Sequence, residues 1–167
     1  MPVQSFDNAN AFHRAMRRFI ATKLGVALFR PTAHHFDRVV SKLTNGRRSA
    51  AYFLTGVPAV MLTTPGAKSG QPRTVAIYGI PHPDGLAVIA SNFGGTKHPA
   101  WYHNLLAHPD TTVQVRSRRT AVRARVATPE ERERLWTLMV RVYRGYETYR
   151  RRTEREIPLV VLEPRSQ

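Results

Sequence analysis

The stretch Leu62 to Asn104, LTTPGAKSGQPRTVAIYGIPHPDGLAVIASNFGGTKHPAWYHN, constrains the fold more than any other part of the chain. It holds extended runs and one helix start, separated by strong turn signals. Ala59-Val60-Met61-Leu62 reads as a strand closed by Thr63 and Thr64. Pro65-Gly66 and Ser69-Gly70 are turn punctuation. Thr74 to Ile80 is extended in character, and Pro83-Asp84-Gly85 is a β-turn signal before a further strand, Leu86 to Ser91. Asn92-Phe93-Gly94-Gly95 ends that strand. Lys97-His98-Pro99 then leads into a helix, with Pro99 suited to the first helical position and an end near His108-Pro109.

Two more strands follow, with Ser117-Arg118-Arg119 as their connection. Val113 and Val115 alternate with Thr112, Gln114 and Arg116; Val122, Ala124 and Val126 alternate with Arg123 and Arg125. One face is buried and one wet, as in an antiparallel barrel wall, and the arginines read as the wet face. Thr128-Pro129-Glu130-Glu131 is a capping box with proline at the first helical position. The helix it starts turns Leu135, Leu138, Met139 and Val142 inward. Tyr143, Tyr146 and Tyr149 continue at three-residue steps along one side, with Gly145 weakening the helix between them. Arg150, Arg151, Arg152 and Arg155 read as a solvated face. Ile157 to Leu162 reads as a closing strand, stopped by Glu163-Pro164.

The N-terminal third is helical in pattern. From Ala9 to Lys23, Phe12, Met16, Phe19 and Ile20 share a face, with His13, Arg14, Arg17 and Arg18 largely away from it. Packing of that face on the barrel is the favoured reading; contact with an anionic membrane surface is the minority one. Pro31 opens a second helical segment ending at Thr44-Asn45-Gly46. The domain reading is one unit: residues 1–48 a helical segment packed on the barrel, residues 49–167 the barrel.

Chemically, the central stretch suits a flat anion. Glycines let a ligand approach the backbone, and a helix start near residues 98–101 offers free N–H groups. Lys68 and Arg73 supply charge for phosphate or carboxylate. No Asp or Glu lies between Asp37 and Asp84, a span that carries Arg38, Lys42, Arg47, Arg48, Lys68 and Arg73. The same glycines also make a plain hairpin with solvated charges, and the stretch alone does not separate the two readings. A nucleoside-triphosphate loop is excluded: Ala67 precedes Lys68, and Leu62 stands where the first glycine belongs.

LTTPGAKSGQPRT, SNFGGTKHPAWYHNL and YRGYETYRRRTEREIPLVVLEP together resemble the deazaflavin (F420)-dependent nitroreductase family, from about Leu62 to Pro164. The resemblance implies an α+β fold: a split β-barrel, an antiparallel barrel like that of FMN-binding proteins, with flanking helices and an N-terminal helix. It implies an oxidoreductase passing a hydride from reduced coenzyme F420 to an electron-poor acceptor, a quinone, activated enone or nitro compound. Ala67, Lys68 and Ser69, with the strand Arg73, Thr74, Val75, Ala76, Ile77 and Tyr78, match the segments that hold the cofactor's tail and ring. Ile89, Ala90, Ser91 and Asn92, and the helix start Ala100, Trp101, Tyr102, His103 and Asn104, match those lining the deazaflavin. Tyr143, Tyr146 and Tyr149 match the substrate side, with Tyr146 the candidate for orienting or protonating substrate. The family commonly has Arg where Ala67 stands, and Phe93 replaces a small residue in a glycine-rich loop.

Composition narrows the alternatives. The net charge is +15, from 26 basic and 11 acidic residues, which calls for an anionic partner. No nucleic-acid motif accompanies it, so nucleic acid is not expected as a partner. There is no cysteine, hence no disulfide framework, thiolate metal site or Cys nucleophile. No apolar run reaches bilayer length. A cytoplasmic protein is expected, with peripheral placement on the inner face of the plasma membrane as the minority view. His98, His103 and His108 recur every five residues and do not keep one helix face, so no metal is expected. A catalytic role for cofactor rather than side chains fits this scarcity of acid–base groups. FMN in the same fold, or a non-catalytic basic module, are the competing readings.

Overall fold

The computed structural model describes residues 11–22, 24–28, 59–115 and 117–165. Six strands close into an antiparallel barrel: β1 (Ala59–Pro65), β2 (Pro72–His82), β3 (Gly85–Ile89), β4 (Asp110–Val115), β5 (Arg118–Val126) and β6 (Leu159–Pro164). The order around the ring is β1-β2-β3-β6-β5-β4. Helices are α1 (Ala11–Ile20), α2 (Ala100–Ala107), α3 (Pro129–Val142) and α4 (Gly145–Arg151). This is the split barrel with flanking helices that the sequence resemblance implies. The expected helix after Pro31, the Arg47-Arg48 loop and the boundary between residues 48 and 49 lie outside the described residues.

Strand alternation builds the interior. Val60 and Leu62 of β1, Val88 of β3, Val113 of β4, Val122 of β5 and Val160 and Leu162 of β6 form one apolar cluster with Trp101 and Leu105 of α2. A second cluster lies outside the ring, where Leu135, Trp136 and Met139 of α3 pack with Ile80, Leu159, Val161 and the three tyrosines. Helix α3 therefore covers one stretch of barrel wall with the stripe that its sequence period lays down. Its start is the expected capping box, with Thr128 as N-cap and Pro129 in the first turn.

Several elements differ from the sequence reading. Pro99 is the residue before α2 rather than its first member, whereas the helix end, at Ala107 with His108 as cap, falls where the sequence placed it. The expected β4–β5 connection is shorter, because Arg118 and Arg119 pair with Val115 and Gln114. Likewise β6 runs through Glu163 and Pro164, which pair with Arg123 and Val122. Pro164 is tolerated there because it comes last in its strand. In α1 only Ile20 is buried, while Phe12 is 55% exposed and Phe19 38%. The helix end docks through its backbone: Arg152 donates to the Ala21 carbonyl at 2.6 Å and Tyr143 to that of Arg17 at 3.4 Å.

The arginine of the wet face is Arg123, which pairs with Asp110 at 3.1 Å. Arg125 is not. It donates two bonds to Glu131 (2.6 and 2.8 Å), one to Glu163 (2.5 Å) and one to Asp84 (3.4 Å). One guanidinium thereby ties β5, β6, the β2–β3 turn and the start of α3. The same corner brings His82, Asp84 and Glu131 close enough for metal ligation. The His82 ring argues against such a role. Its Nδ1 accepts from the Asp84 N–H at 3.2 Å, so the neutral ring carries its proton on Nε2, 3.5 Å from Glu131.

Candidate active site

The loop that the sequence suggested for an anion is the turn of the β1–β2 hairpin. Gly66 N–H donates to the Gln71 carbonyl and Gly70 N–H to that of Gly66, at 2.9 and 2.8 Å. Gly70 has φ +65, the left-handed region where glycine carries no penalty. Ala67, Lys68, Ser69 and Arg73 are all exposed. The Ala67 N–H is not open to a ligand, because it donates to Asn104 Oδ1 at 2.9 Å. Asn104 is itself buried, and its Nδ2 donates to Thr64 at 3.0 Å. This side chain staples the loop to α2, so it positions the cations rather than presenting an open polar face.

Strand β2 connects this loop to an aromatic cluster. Val75 and Ile77 pack against the barrel interior, while Tyr78 packs against the outer cluster. Alternation places Thr74, Ala76 and Tyr78 on the outer face. From Arg73 to Tyr78 the strand spans roughly 17 Å. The Tyr78 and Tyr143 rings meet edge-on with centroids 5.9 Å apart, and Phe93 meets Tyr149 at the same distance. Tyr143, Tyr146 and Tyr149 contact one another at 5.3 to 6.1 Å.

The tyrosines do not lie along one continuous helix. Helix α3 ends at Val142; Tyr143 is extended (φ −147, ψ 102), and α4 begins at Gly145. Gly145 is a close-approach position rather than a bending point, since a Cβ there would overlap the Tyr143 ring. All three phenols are buried. Burial pushes the Tyr146 hydroxyl well above its ordinary range, with Tyr78 and Tyr143 adding to the effect. Burial does the same for Tyr143 and Tyr149, whose hydroxyls lie 3.1 Å apart. Each is therefore a neutral hydrogen-bonding group at physiological pH.

The segment after β3 is the third part of the site. Ile89 and Ala90 are buried, and Ser91 and Asn92 are half-buried. Asn92 (φ +47), Phe93 (φ +56) and Gly94 (φ +74) are successive left-handed residues. For Phe93 this conformation is a backbone outlier, of the kind that surrounding structure must hold in place. Asn92 Nδ2 fixes the turn by donating to the Lys97 carbonyl at 2.8 Å. At the start of α2, Ala100 and His103 are exposed and Tyr102 half-buried, its ring 5.0 Å from that of His98. Trp101 belongs to the barrel interior.

Sequence reasoning missed the residue that binds these pieces together. Arg155, read as solvated, is half-buried and donates to the carbonyls of Ser91 (2.8 Å), Gly95 (2.9 Å), Glu156 (3.2 Å) and Ala90 (3.3 Å). It also bonds His98 Nδ1 at 2.9 Å. Arg152 departs from the solvated reading as well, through its bond to Ala21. Only the absence of an i±4 acid beside Arg155 hinted at this in the sequence.

A closed antiparallel barrel of this order, with helices on its outer wall, defines the split-barrel class. Within that class, the chain belongs to the F420H(2)-dependent quinone reductase family, whose model matches residues 35–164. It is thus an oxidoreductase of a family that uses F420H2. It is 34% identical to an F420H(2)-dependent quinone reductase of Mycobacterium tuberculosis over 149 residues, 87% of this chain and 95% of that one. A solved F420-H2 dependent reductase, FDR-A, is 39% identical, with TM-score 0.59 over 64% of this chain and 94% of the other. A structure described as a domain-swapped dimer is 34% identical, with TM-score 0.61 over 77% of this chain and 94% of its own.

Proposed function

We propose that this protein binds reduced coenzyme F420 along β2 and reduces a small electron-poor acceptor, of quinone, activated enone or nitro type. The observation that carries the reading is the layout of β2: exposed Lys68 and Arg73 at one end, the tyrosine cluster at the other. An elongated ligand with an anionic tail and a planar ring matches that separation. The residues present fit such a group, because the cations are exposed and no carboxylate among the described residues pairs with Lys68 or Arg73.

Bound F420H2 would supply the hydride. Lys68 and Arg73 hold the tail, on a loop that Asn104 keeps in register. Tyr78 and the segment Ile89 to Asn92 flank the ring, and the N–H groups of Ala100 and Trp101 at the start of α2 favour negative charge there. Tyr143, Tyr146 and Tyr149 exclude water from the acceptor side. Tyr146 keeps its proton on Oη, so it orients a carbonyl or nitro oxygen by hydrogen bonding. Burial holds that proton in place, so Tyr146 acts as a hydrogen-bond donor to the acceptor oxygen.

The exposed Phe12 and Phe19, on a helix carrying His13, Arg14, Arg17 and Arg18, support peripheral contact with an anionic membrane. That placement would give access to a lipid-soluble quinone. The test of function is a titration of oxidised F420 at low ionic strength, followed by F420H2 oxidation with a quinone and with a nitroaromatic. Fluorescence quenching and turnover of either acceptor are expected. A folded preparation with no affinity for F420 would overturn the reading, and yellow protein carrying FMN would replace it with the FMN alternative.

A further inference from the structure

All five N–H groups of Arg155 have acceptors, and none of the acceptors is charged. Nε donates to Gly95, Nη2 to Ala90 and Ser91, and Nη1 to Glu156 O and His98 Nδ1. Among the described residues no carboxylate lies within ion-pair distance. Such a cage holds the segment 90–98 from a point about sixty residues away in sequence, the separations being 60 to Gly95 and 65 to Ala90. It also restrains Asn92 and Phe93 in their left-handed conformations, which an unsupported loop would abandon.

The bond to His98 has a chemical consequence. A guanidinium can only donate, so Nδ1 must accept and cannot carry a proton. A neutral His98 then bears its proton on Nε2, which has no hydrogen-bond partner among the described residues. Tyr102, His103 and Arg155 surround the ring, and burial, Arg155 and His103 together disfavour its cationic form. The result is a fixed neutral N–H donor beside the start of α2, next to a cation that no acid neutralises.

We propose that Arg155 is a positioning residue of the cofactor site: it clamps the segment 90–98 and sets His98 as an Nε2–H donor to an anionic or carbonyl group of the deazaflavin. The functional half rests on the F420 reading above; the tautomer and the clamp do not. Imidazole 15N NMR of the ligand-free protein at neutral pH should show His98 as the Nε2–H tautomer, with the signal assigned by its loss in His98→Gln. In Arg155→Met the tautomers should mix, and amide exchange of residues 92–97 should accelerate. Oxidised F420 should bind Arg155→Met about tenfold or more weakly, while Arg151→Met, on the exposed face, stays within about twofold of wild type. If Arg155→Met does not fold, Arg155→Lys serves: it keeps the charge, cannot reach five acceptors, and should show the same changes in smaller measure.

An Nδ1–H tautomer in wild type, or unchanged loop exchange in the variants, overturns the clamp. Equal F420 affinity of wild type and Arg155→Met overturns the functional half. Wild type that itself fails to bind F420 overturns the F420 reading and the functional half with it, while the NMR and exchange results still decide the clamp.

Discussion

Arg125 and Arg155 each fasten segments distant in sequence, but their surroundings have opposite electrical character. Around Arg125 the acceptors are carboxylates of Glu131, Glu163 and Asp84. Around Arg155 they are four backbone carbonyls and an imidazole. The first corner neutralises its cation with excess negative charge and serves the fold. The second leaves its positive charge uncompensated beside the segment that faces the proposed ligand. The same side chain is a lock in one setting and an attractor in the other, and the difference lies in whether its acceptors carry charge.

The largest expected effect breaks the first corner. Arg125→Met leaves Glu131 and Glu163 beside each other without a counter-ion and should lower the melting temperature by roughly 5 °C, measured by calorimetry. Removal of one partner from a fully buried pair costs more, and the one-third exposure of Arg125 moderates it. F420 affinity of the folded variant should be unchanged, because nothing in that corner reaches the ligand site. A large loss of affinity would erase the distinction between the corners.

The next effect falls on the other side. Tyr146→Phe should reduce turnover about tenfold, with F420 affinity little altered, in steady-state kinetics against fluorescence titration. A loss of affinity at normal turnover would move Tyr146 from acceptor orientation to cofactor binding.

Acid titration separates the corners by pH window. The Arg125 hydrogen bond, then the Thr128 N–H, holds Glu131 down at about 2, against an ordinary 4.5. The folded pKa is depressed, so the stabilisation is complete above about 4.5 and is lost as pH falls towards 2. His98 is also depressed, by burial first, from an ordinary 6.5. As a base it favours the folded state fully above 6.5, and that contribution fades as pH falls below this value. Unfolding midpoints across pH should therefore show a shallow limb below 6.5, removed by His98→Gln, and a steeper one below 4.5, removed by Arg125→Met.

The smallest effect is Thr128→Ala, which removes the N-cap oxygen of α3 and should cost about 1 kcal/mol of unfolding free energy. The bond from the Glu131 N–H is long, at 3.4 Å, so a cost no larger than this typical one is expected. Glu131 stays paired with Arg125 in this variant, and the acid limb below 4.5 should persist.

Strands and caps were legible because their signals are local. Val113 and Val115 alternate within a few residues, and Thr128 and Glu131 stand three apart. The exposed place of Lys68 and Arg73 on one hairpin was legible for the same reason. Arg125 and Arg155 were not. Each sits in a run of arginines whose sequence neighbours look solvated, and each finds acceptors 38 to 65 residues away in sequence. The tyrosine steps suggested one helical row, whereas contact between Gly145 and the Tyr143 ring turns the chain between two helices. The bond from the Ala67 N–H to Asn104 was not legible, because it spans 37 residues.

Closure of the ring has a consequence for how this chain behaves outside its reaction. Each strand has a neighbour on both sides along part of its length, so among the described residues the longest unpaired strand edge left to recruit a foreign β-segment is Pro72 to Tyr78 of β2, which pairs with β1 but not with β3. A protein so rich in valine and threonine strands would otherwise template its own aggregation. With its large positive charge repelling other copies, it should withstand crowding and long storage so long as the barrel stays shut.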